Sequence, residues 1–283
     1  MMQTGAVFMD ATTVRVDLPS PLVELLPGVK WGSIDAFPSP AYWAYQVFAK
    51  RILGRTINYK LGATLREEVG ACLLGGHGIP AAIGLAAYNH LRMLGAFDET
   101  PPDEATLYEW LSQPLHMDGR KVRYRFARQK ARYLGAALKR LSQEKAPDET
   151  GRALRDWLID TPGIGYKTAS WIARNWLRAD DVAILDIHIL RAGQFAGVFP
   201  ANLKVERHYC ELEALFLEFS NKLGVRASEL DAVIWLEMMS SPNTVRTMMK
   251  PSEAPPKHKR QPKRLRARSN NSQTDADQTA LFV

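Results

Sequence analysis

The stretch TPGIGYKTASWIARNWLRADDVAILDIH, residues 161–188, decides the fold. Two glycines one residue apart, Gly163 and Gly165, separate two helical patterns and predict a helix-hairpin-helix unit over residues 153–177. Such a turn brings main-chain N–H groups to the surface at the start of a helix, where they bind an anion such as a DNA phosphate. Both glycines are therefore predicted to contact DNA.

A lysine and an aspartate follow the hairpin at a spacing that points to chemistry. Lys167 lies in the first turn of the second helix, where the partial positive charge of the helix end favours the neutral, nucleophilic amine. Asp186, 19 residues later, ends the extended run VAIL and begins the next helix, an N-cap position that favours the carboxylate. Taken singly, the lysine is also interpretable as a phosphate ligand and the aspartate as a structural cap. Together they form a candidate nucleophile and carboxylate pair.

Helical periodicity dominates the chain from Tyr42 onward, with about ten helices joined by short connections, so the predicted fold class is all-α. Before it lies an irregular N-terminal segment (residues 1–40) that is rich in proline and contains one short strand. Residues 41–245 form the predicted helical domain. Residues 246–283 are rich in charge, Gln, Asn and Ser, and are predicted to be a disordered basic tail.

Composition excludes several classes of protein. Two cysteines, Cys72 and Cys210, are too few for a disulfide framework, an iron–sulfur cluster or a four-cysteine zinc site. No stretch resembles a signal peptide or a membrane span, so the expected location is the cytoplasm. Of the formal net charge of +7, residues 250–283 carry +5. This tail is interpreted either as a solubilising appendage or as a phosphate-binding arm.

The segments GIGYKTAS and DDVAILDIHILR resemble the helix-hairpin-helix (HhH-GPD) DNA glycosylase superfamily, most of all the compact archaeal-type 8-oxoguanine DNA glycosylases. The resemblance implies a two-lobed fold with the active site in the cleft between the lobes. It implies that Lys167 attacks C1′ of the sugar, while Asp186 stabilises the developing oxocarbenium ion. Attack by an amine leaves an imine and permits β-elimination, so the expected enzyme is a bifunctional 8-oxoguanine glycosylase and abasic-site (AP) lyase.

Two histidines are assigned to DNA contact on the same grounds. His188 matches a family histidine that contacts a phosphate near the lesion, although a lone histidine is otherwise a cap or a core group. The loop CLLGGHGIP nominates His77 as the side chain that fills the gap left by the flipped nucleotide. Its other interpretation is an ordinary exposed loop histidine.

The segment GRKVRYRFARQKARYL (residues 119–134) holds seven Lys or Arg with aromatic residues between them. It resembles the family segment that faces the estranged base. Gln129 is thereby predicted as a second wedge, and Lys130 or Arg132 as the reader of the opposite base, expected to be cytosine. The alternative is a solvated basic helix face.

The segment SELDAVIWLEMM occupies the place where relatives build the base pocket. Trp235 is predicted to stack on the flipped base, and Asp231, one turn earlier, to accept its N–H groups. The helical spacing of Trp235 with apolar neighbours is more often typical of a core residue, and that interpretation is the favoured one. Trp171 completes the predicted pocket, at a position where eukaryotic-type relatives carry a small thiol side chain.

The implied partner is double-stranded DNA with a damaged base, bound by a monomer associated with the nucleoid. No cofactor is expected to be required and no iron–sulfur cluster is expected; the resemblance implies a monovalent cation or Mg²⁺ at the hairpin carbonyls. Three alternatives stay open: a glycosylase for another base such as an oxidised pyrimidine, a non-catalytic helix-hairpin-helix DNA-binding protein, and an enzyme that senses or removes modified bases in foreign DNA.

Overall fold

The computed structural model describes residues 2–55, 60–76, 78–117 and 119–249. Within these ranges eleven α-helices form the bulk of the fold: α1 (Pro40–Ile52), α2 (Leu65–Leu74), α3 (Ala81–Met93), α4 (Glu104–Ser112), α5 (Ala127–Gln143), α6 (Gly151–Ile159), α7 (Tyr166–Leu177), α8 (Ile187–Phe195), α9 (Tyr209–Leu223), α10 (Ala227–Ser240) and α11 (Pro242–Met248). Three two-stranded antiparallel sheets accompany them: β1 (Met2–Met9) with β2 (Thr12–Pro19), β3 (Glu24–Leu26) with β4 (Val29–Lys30), and β5 (Leu115–Met117) with β6 (Arg120–Val122).

The predicted helical fold is confirmed, and five of the described helices begin at a residue whose side chain accepts an N–H of the first turn: Ser39, Thr64, Asp103, Thr150 and Asp186. The sequence pattern predicts helices over Tyr166–Leu177 and Ile187–Phe195, which are the observed bounds of α7 and α8. At the start of α2, the Thr64 hydroxyl accepts a hydrogen bond from the Glu67 N–H at 3.2 Å, as an N-cap threonine does. Single capping side chains thus fix where these helices begin.

Two hydrophobic cores hold the helices together. The first core joins the β1–β2 hairpin and α1 to the helices α8 to α11, and the second lies among α2 to α7. The chain returns from the second core to the first between Val182 and Ala183. The two lobes with a cleft between them, which the resemblance implies, stay a prediction.

The N-terminal segment, predicted to be irregular over residues 1–40, is corrected by the structure. It forms the β1–β2 hairpin, whose Val7, Val16 and Leu18 are buried in the first core. Asp10 makes the tight turn with a φ of +41°, a conformation that aspartate tolerates better than most residues. Prolines predicted irregularity, but the first of them is the last residue of β2, so none interrupts the pairing.

The C-terminal end of the helical domain also differs from the prediction. Helix α11 continues to Met248, beyond the boundary predicted at residue 245, because Pro242 starts a further helix there. The basic tail from residue 250 onward lies outside the described residues. Across the described part of the chain, no helix has the length and apolar character needed to cross a membrane.

Candidate active site

Gly163 lies at the centre of the hairpin between α6 and α7 and is required there twice over. Its φ is +86°, in the left-handed region that an L side chain rarely adopts. A Cβ built on it would lie 2.3 Å from a ring carbon of Tyr133 on α5, far inside van der Waals contact. The hairpin is therefore packed tightly against α5 at a point that only glycine fits.

Gly165 is glycine for a different reason. Its φ is −96°, which any residue adopts, and a Cβ on it would meet nothing within 4 Å. It precedes α7 without a side-chain cap, so the first N–H groups of that helix have no side-chain acceptor. Neither conformation nor packing within the described chain requires a glycine here. The predicted close approach of a DNA phosphate stays the hypothesis for this glycine.

The two glycines give a matched pair of substitutions. We expect Gly163→Ala to lower the free energy of unfolding by about 2 kcal/mol or more, since it adds a left-handed alanine to a steric clash. We expect Gly165→Ala to unfold like the wild type but to bind duplex DNA about tenfold more weakly, because its methyl group occupies the approach of a phosphate. Urea unfolding and DNA titration measure both effects. Wild-type DNA affinity in Gly165→Ala would contradict the phosphate site.

Lys167 and Asp186 meet although they belong to different cores. Lys167 lies on α7, whose buried face packs in the second core, whereas the neighbours of Asp186, Leu185 and Ile189, are buried in the first. The Lys167 Nζ and Asp186 Oδ2 atoms are 3.8 Å apart, with the lysine side chain 38% exposed and the aspartate 10%. An accessible amine beside a shielded carboxylate is the arrangement predicted from the sequence.

The Asp186 carboxylate is fixed by the helix that it begins. Its Oδ1 accepts hydrogen bonds from the main-chain N–H groups of His188 at 2.8 Å and Ile189 at 3.1 Å. These bonds form the predicted N-cap and occupy one oxygen. The other oxygen, Oδ2, faces Lys167.

His188 is half-buried beside this pair. Burial lowers the pKa of its imidazole, opposed by the Asp186 carboxylate and reinforced by the cations Arg191 and Lys167. The Nδ1 atom is buried and has no hydrogen-bond partner among the described residues. His188 is thus a neutral ring next to the catalytic candidates, and its predicted phosphate contact stays a prediction.

Asp231 has a different role from the predicted one in the base pocket. Its side chain is 3% exposed and its Oδ1 accepts a hydrogen bond from Arg174 of α7 at 3.0 Å. Its Oδ2 accepts one from the main-chain N–H of Ile184 at 3.2 Å. The prediction is corrected on this point, because both oxygens are engaged inside the protein.

Asp231 gives the protein a pH-dependent stability. Burial raises the pKa of this carboxyl to about 6, and Arg174 opposes that effect only in part. A carboxyl with a higher pKa in the folded than in the unfolded chain adds to the free energy of unfolding as the pH falls. Between pH 7 and pH 5 we expect the wild type to gain about 1 kcal/mol relative to Asp231→Asn in urea unfolding. An equal gap at both pH values would contradict the raised pKa.

The two predicted pocket tryptophans lie on α7 and α10, two helices joined by the hydrogen bond between Arg174 and Asp231. Asp180, just after α7, accepts a hydrogen bond from Arg226, just before α10, and Arg174 reaches Asp231 further along. The order of these contacts shows that α7 and α10 run in opposite directions. Trp171 lies about one turn before Arg174, and Trp235 lies about one turn after Asp231. Both half-buried tryptophans are therefore displaced toward the end of α7 that carries Lys167. The Trp171 Nε1 is buried without a hydrogen-bond partner among the described residues.

The basic segment divides into two groups of side chains. Lys130 Nζ donates to the main-chain carbonyls of Leu73 at 2.6 Å and Gly75 at 2.9 Å, which caps the end of α2. Burial lowers the pKa of this ammonium. Its predicted role as a base reader is corrected to that of a helix cap. Gln129 and Arg132 stay exposed, so their DNA contacts stay predictions.

The same segment contains β6, the second strand of the β5–β6 hairpin, which the sequence did not predict. Six exposed cations follow one another along β6 and α5, and none forms an ion pair with a described residue: Arg120, Lys121, Arg123, Arg125, Arg128 and Arg132. The predicted wedge His77 lies outside the described residues. Its neighbours Gly76 and Gly78 both have positive φ values, +106° and +78°.

Comparison with known proteins places this geometry in context. The family model for 8-oxoguanine DNA glycosylases (Ogg-HhH) matches residues 65–225, which contain the hairpin, Lys167 and Asp186. The 8-oxoguanine DNA glycosylase/AP lyase of Methanocaldococcus jannaschii is 35% identical over 118 residues, which are 40% of this chain and 56% of that protein. The protein of the same name from Saccharolobus solfataricus is 28% identical over 199 residues, or 65% of this chain and 89% of that protein.

A solved structure shares the fold. The crystal structure of the 8-oxoguanine DNA glycosylase of Thermotoga maritima superimposes with a TM-score of 0.50 and 22% sequence identity. The match covers 70% of this chain and 96% of that one. This likeness supports the helical architecture.

Proposed function

The chain belongs to the 8-oxoguanine DNA glycosylase family, and from that premise we propose that it is a bifunctional DNA glycosylase and AP lyase that excises 8-oxoguanine and then cuts the strand. The observation that carries the proposal is the 3.8 Å approach of the Lys167 amine to the Asp186 carboxylate. A DNA clamp without chemistry has no need of a shielded carboxylate beside that amine.

The proposed reaction uses only these two side chains and water. The Lys167 amine attacks C1′, the C1′–N9 bond breaks, and its electron pair leaves with the base, which takes up a proton. The Asp186 carboxylate helps to activate the Lys167 amine, here and on an abasic site, and stabilises the positive charge on the sugar while the base leaves. Loss of a proton from nitrogen and opening of the sugar ring then give an imine between Nζ and C1′.

Strand cleavage follows from the imine. The imine withdraws electrons, so that the C2′ proton is lost and the C3′–O bond breaks, with the 3′ phosphate as the leaving group. Water hydrolyses the remaining imine and restores the lysine amine. No metal or redox cofactor enters any of these steps.

Three features of the described residues support DNA binding. The uncapped start of α7 behind Gly165 offers N–H groups to a phosphate. The exposed cations between Arg120 and Arg132 supply positive charge for the backbone. Trp171 and Trp235 offer aromatic faces for the flipped base near the Lys167 end of their helices.

A bound cation, the oligomeric state and the location complete the proposal. Across the described residues no group of three or more His, Cys, Asp or Glu gathers in one place, so main-chain carbonyls at the hairpin would suit a monovalent cation better than Mg²⁺. A monomer bound to damaged duplex DNA on the nucleoid stays the prediction.

The test is borohydride trapping on a panel of DNA duplexes. The panel holds 8-oxoguanine opposite each of the four bases, an oxidised pyrimidine, an abasic site and undamaged DNA. We expect a covalent adduct with 8-oxoguanine and with the abasic site. An adduct only with the oxidised pyrimidine would move the substrate to that class, and DNA binding without any adduct would leave a non-catalytic DNA-binding protein.

A further inference from the structure

The chain segment that leads into Asp186 is held by buried side chains rather than by a sheet. Three successive main-chain N–H groups each donate to a different side chain: Ala183 to Glu213 at 3.0 Å, Ile184 to Asp231 at 3.2 Å and Leu185 to the Tyr209 hydroxyl at 3.2 Å. The same hydroxyl donates to the Ala183 carbonyl at 2.7 Å. A buried main chain outside a sheet needs such partners, and here all of them come from α9 and α10.

The placement of these acceptors matches the geometry of an extended chain. Successive N–H groups of an extended chain point to opposite sides. Ala183 and Leu185 point to one side, where α9 presents Glu213 and Tyr209 one helical turn apart. Ile184 points to the other side, toward α10. Side chains of α9 and α10 therefore hold residues 183–185 from both sides, immediately before Asp186.

Two buried arginines connect the carboxylates of Glu213 and Asp231 to α6 and α7, the two helices of the hairpin. Arg155 of α6 donates to Glu213 at 2.8 Å, with side chains 4% and 3% exposed. Arg174 of α7 donates to Asp231 at 3.0 Å. Each helix of the hairpin that carries Lys167 is thus joined, through one carboxylate, to the segment that carries Asp186.

Stability alone is a poor reason for these pairs. Buried ion pairs lose so much solvation that well-packed apolar residues often replace them without loss of stability. The pairs lie where the chain passes from the second core back to the first, between the two catalytic candidates. A misplacement of about 1 Å at a reacting centre lowers rates by up to about 100-fold.

We propose that Tyr209, Glu213 and Asp231 are positioning residues, which fix the Asp186 carboxylate relative to the Lys167 amine by holding residues 183–185 against both helices of the hairpin. The inference rests on the proposed function, since it assigns a role within the same reaction. All three residues are buried, so we assign them no contact with the substrate.

Tyr209→Phe tests the proposal because it removes only the hydroxyl. The matched control is Tyr45→Phe, which removes a hydroxyl that donates to the Ala6 carbonyl at 2.6 Å, in the N-terminal hairpin. The assay is borohydride trapping in a single turnover on a single-stranded oligonucleotide with an abasic site, which requires no base flipping. DNA affinity and thermal unfolding are measured beside it.

We expect Tyr209→Phe to trap the abasic site about tenfold more slowly at saturating DNA, with unchanged DNA affinity. Tyr45→Phe is expected to lose similar stability and to react at the wild-type rate. A Tyr209→Phe rate within twofold of the wild type would overturn the proposal, as would equal slowing in both variants.

A double variant keeps the test valid if Tyr209→Phe does not fold. Arg174→Met with Asp231→Leu replaces an ion pair by apolar side chains and removes the acceptor of the Ile184 N–H. We expect a folded protein whose stability is lowered because the Ile184 N–H and the Ser228 carbonyl lose their partners, with a trapping rate lowered about tenfold, and a wild-type rate would overturn the proposal. A wild-type protein that forms no adduct at all would instead overturn the proposed function, and this inference with it.

Discussion

Lys167→Gln is expected to form no borohydride-trapped adduct and to lose strand cleavage by a factor of at least about 1,000, because an amide nitrogen cannot form the imine. The same variant should keep its fold. The pair with Asp186 spans 3.8 Å and the lysine is partly exposed, so its loss removes little stability. DNA affinity is expected to stay close to that of the wild type, since the hairpin main chain is unchanged.

The matched control is Lys222→Gln, an equivalent change of an exposed lysine in the last turn of α9. It is expected to trap the adduct at the wild-type rate. An undiminished adduct in Lys167→Gln would assign the nucleophile to another amine. Loss of DNA affinity together with the adduct would instead make Lys167 a phosphate ligand, the other interpretation of a lysine at a helix start.

The sequence was sufficient to single out Lys167 and Asp186 as a candidate pair because the signals for it are local. Gly163 indicates a left-handed turn. Asp186 is an N-cap whose Oδ1 accepts hydrogen bonds from the N–H groups of His188 and Ile189, two and three residues further along the chain. Local chemistry of this kind also predicted the bounds of α7 and α8. The chain between these points needs no distant information to form its helices.

Lys130 and Asp231 show what the sequence could not reveal. The carbonyls that Lys130 caps lie 57 and 55 residues before it, and Asp231 meets Arg174 across 57 residues. A helical pattern separates an apolar face from a polar one. It does not say which polar side chain will turn inward to satisfy a main-chain group from elsewhere.

The sequence could not reveal the positioning residues Tyr209 and Glu213 for the same reason. Tyr209 and Glu213 are four residues apart on α9, a spacing that places them on one face but is common in any helix. Their partners, the N–H groups of residues 183–185, carry no side-chain signature at all. The β1–β2 hairpin was missed for a related reason, since its alternation is weak outside the segment TTVRVDL.

Asp186→Asn is expected to slow excision and trapping by a factor of about 1,000 with the fold intact. The sugar carbon must lie within bonding distance of Lys167 Nζ, so its positive charge forms about 4 Å from the carboxylate. At an effective dielectric of 20 that attraction is worth about 4 kcal/mol, which corresponds to the expected factor. Asparagine caps helices about as well as aspartate does, so the bonds to His188 and Ile189 can persist.

Asp103→Asn is the matched control, because it makes the same change at the N-cap of α4, where the side chain accepts the Thr106 N–H at 2.8 Å. Both variants should unfold like the wild type, and only Asp186→Asn should lose rate. Single-turnover trapping on duplex 8-oxoguanine measures the difference. If Asp186→Asn reacted within about tenfold of the wild type, the carboxylate would be a structural cap, and stabilisation of the charged sugar would have to come from other groups.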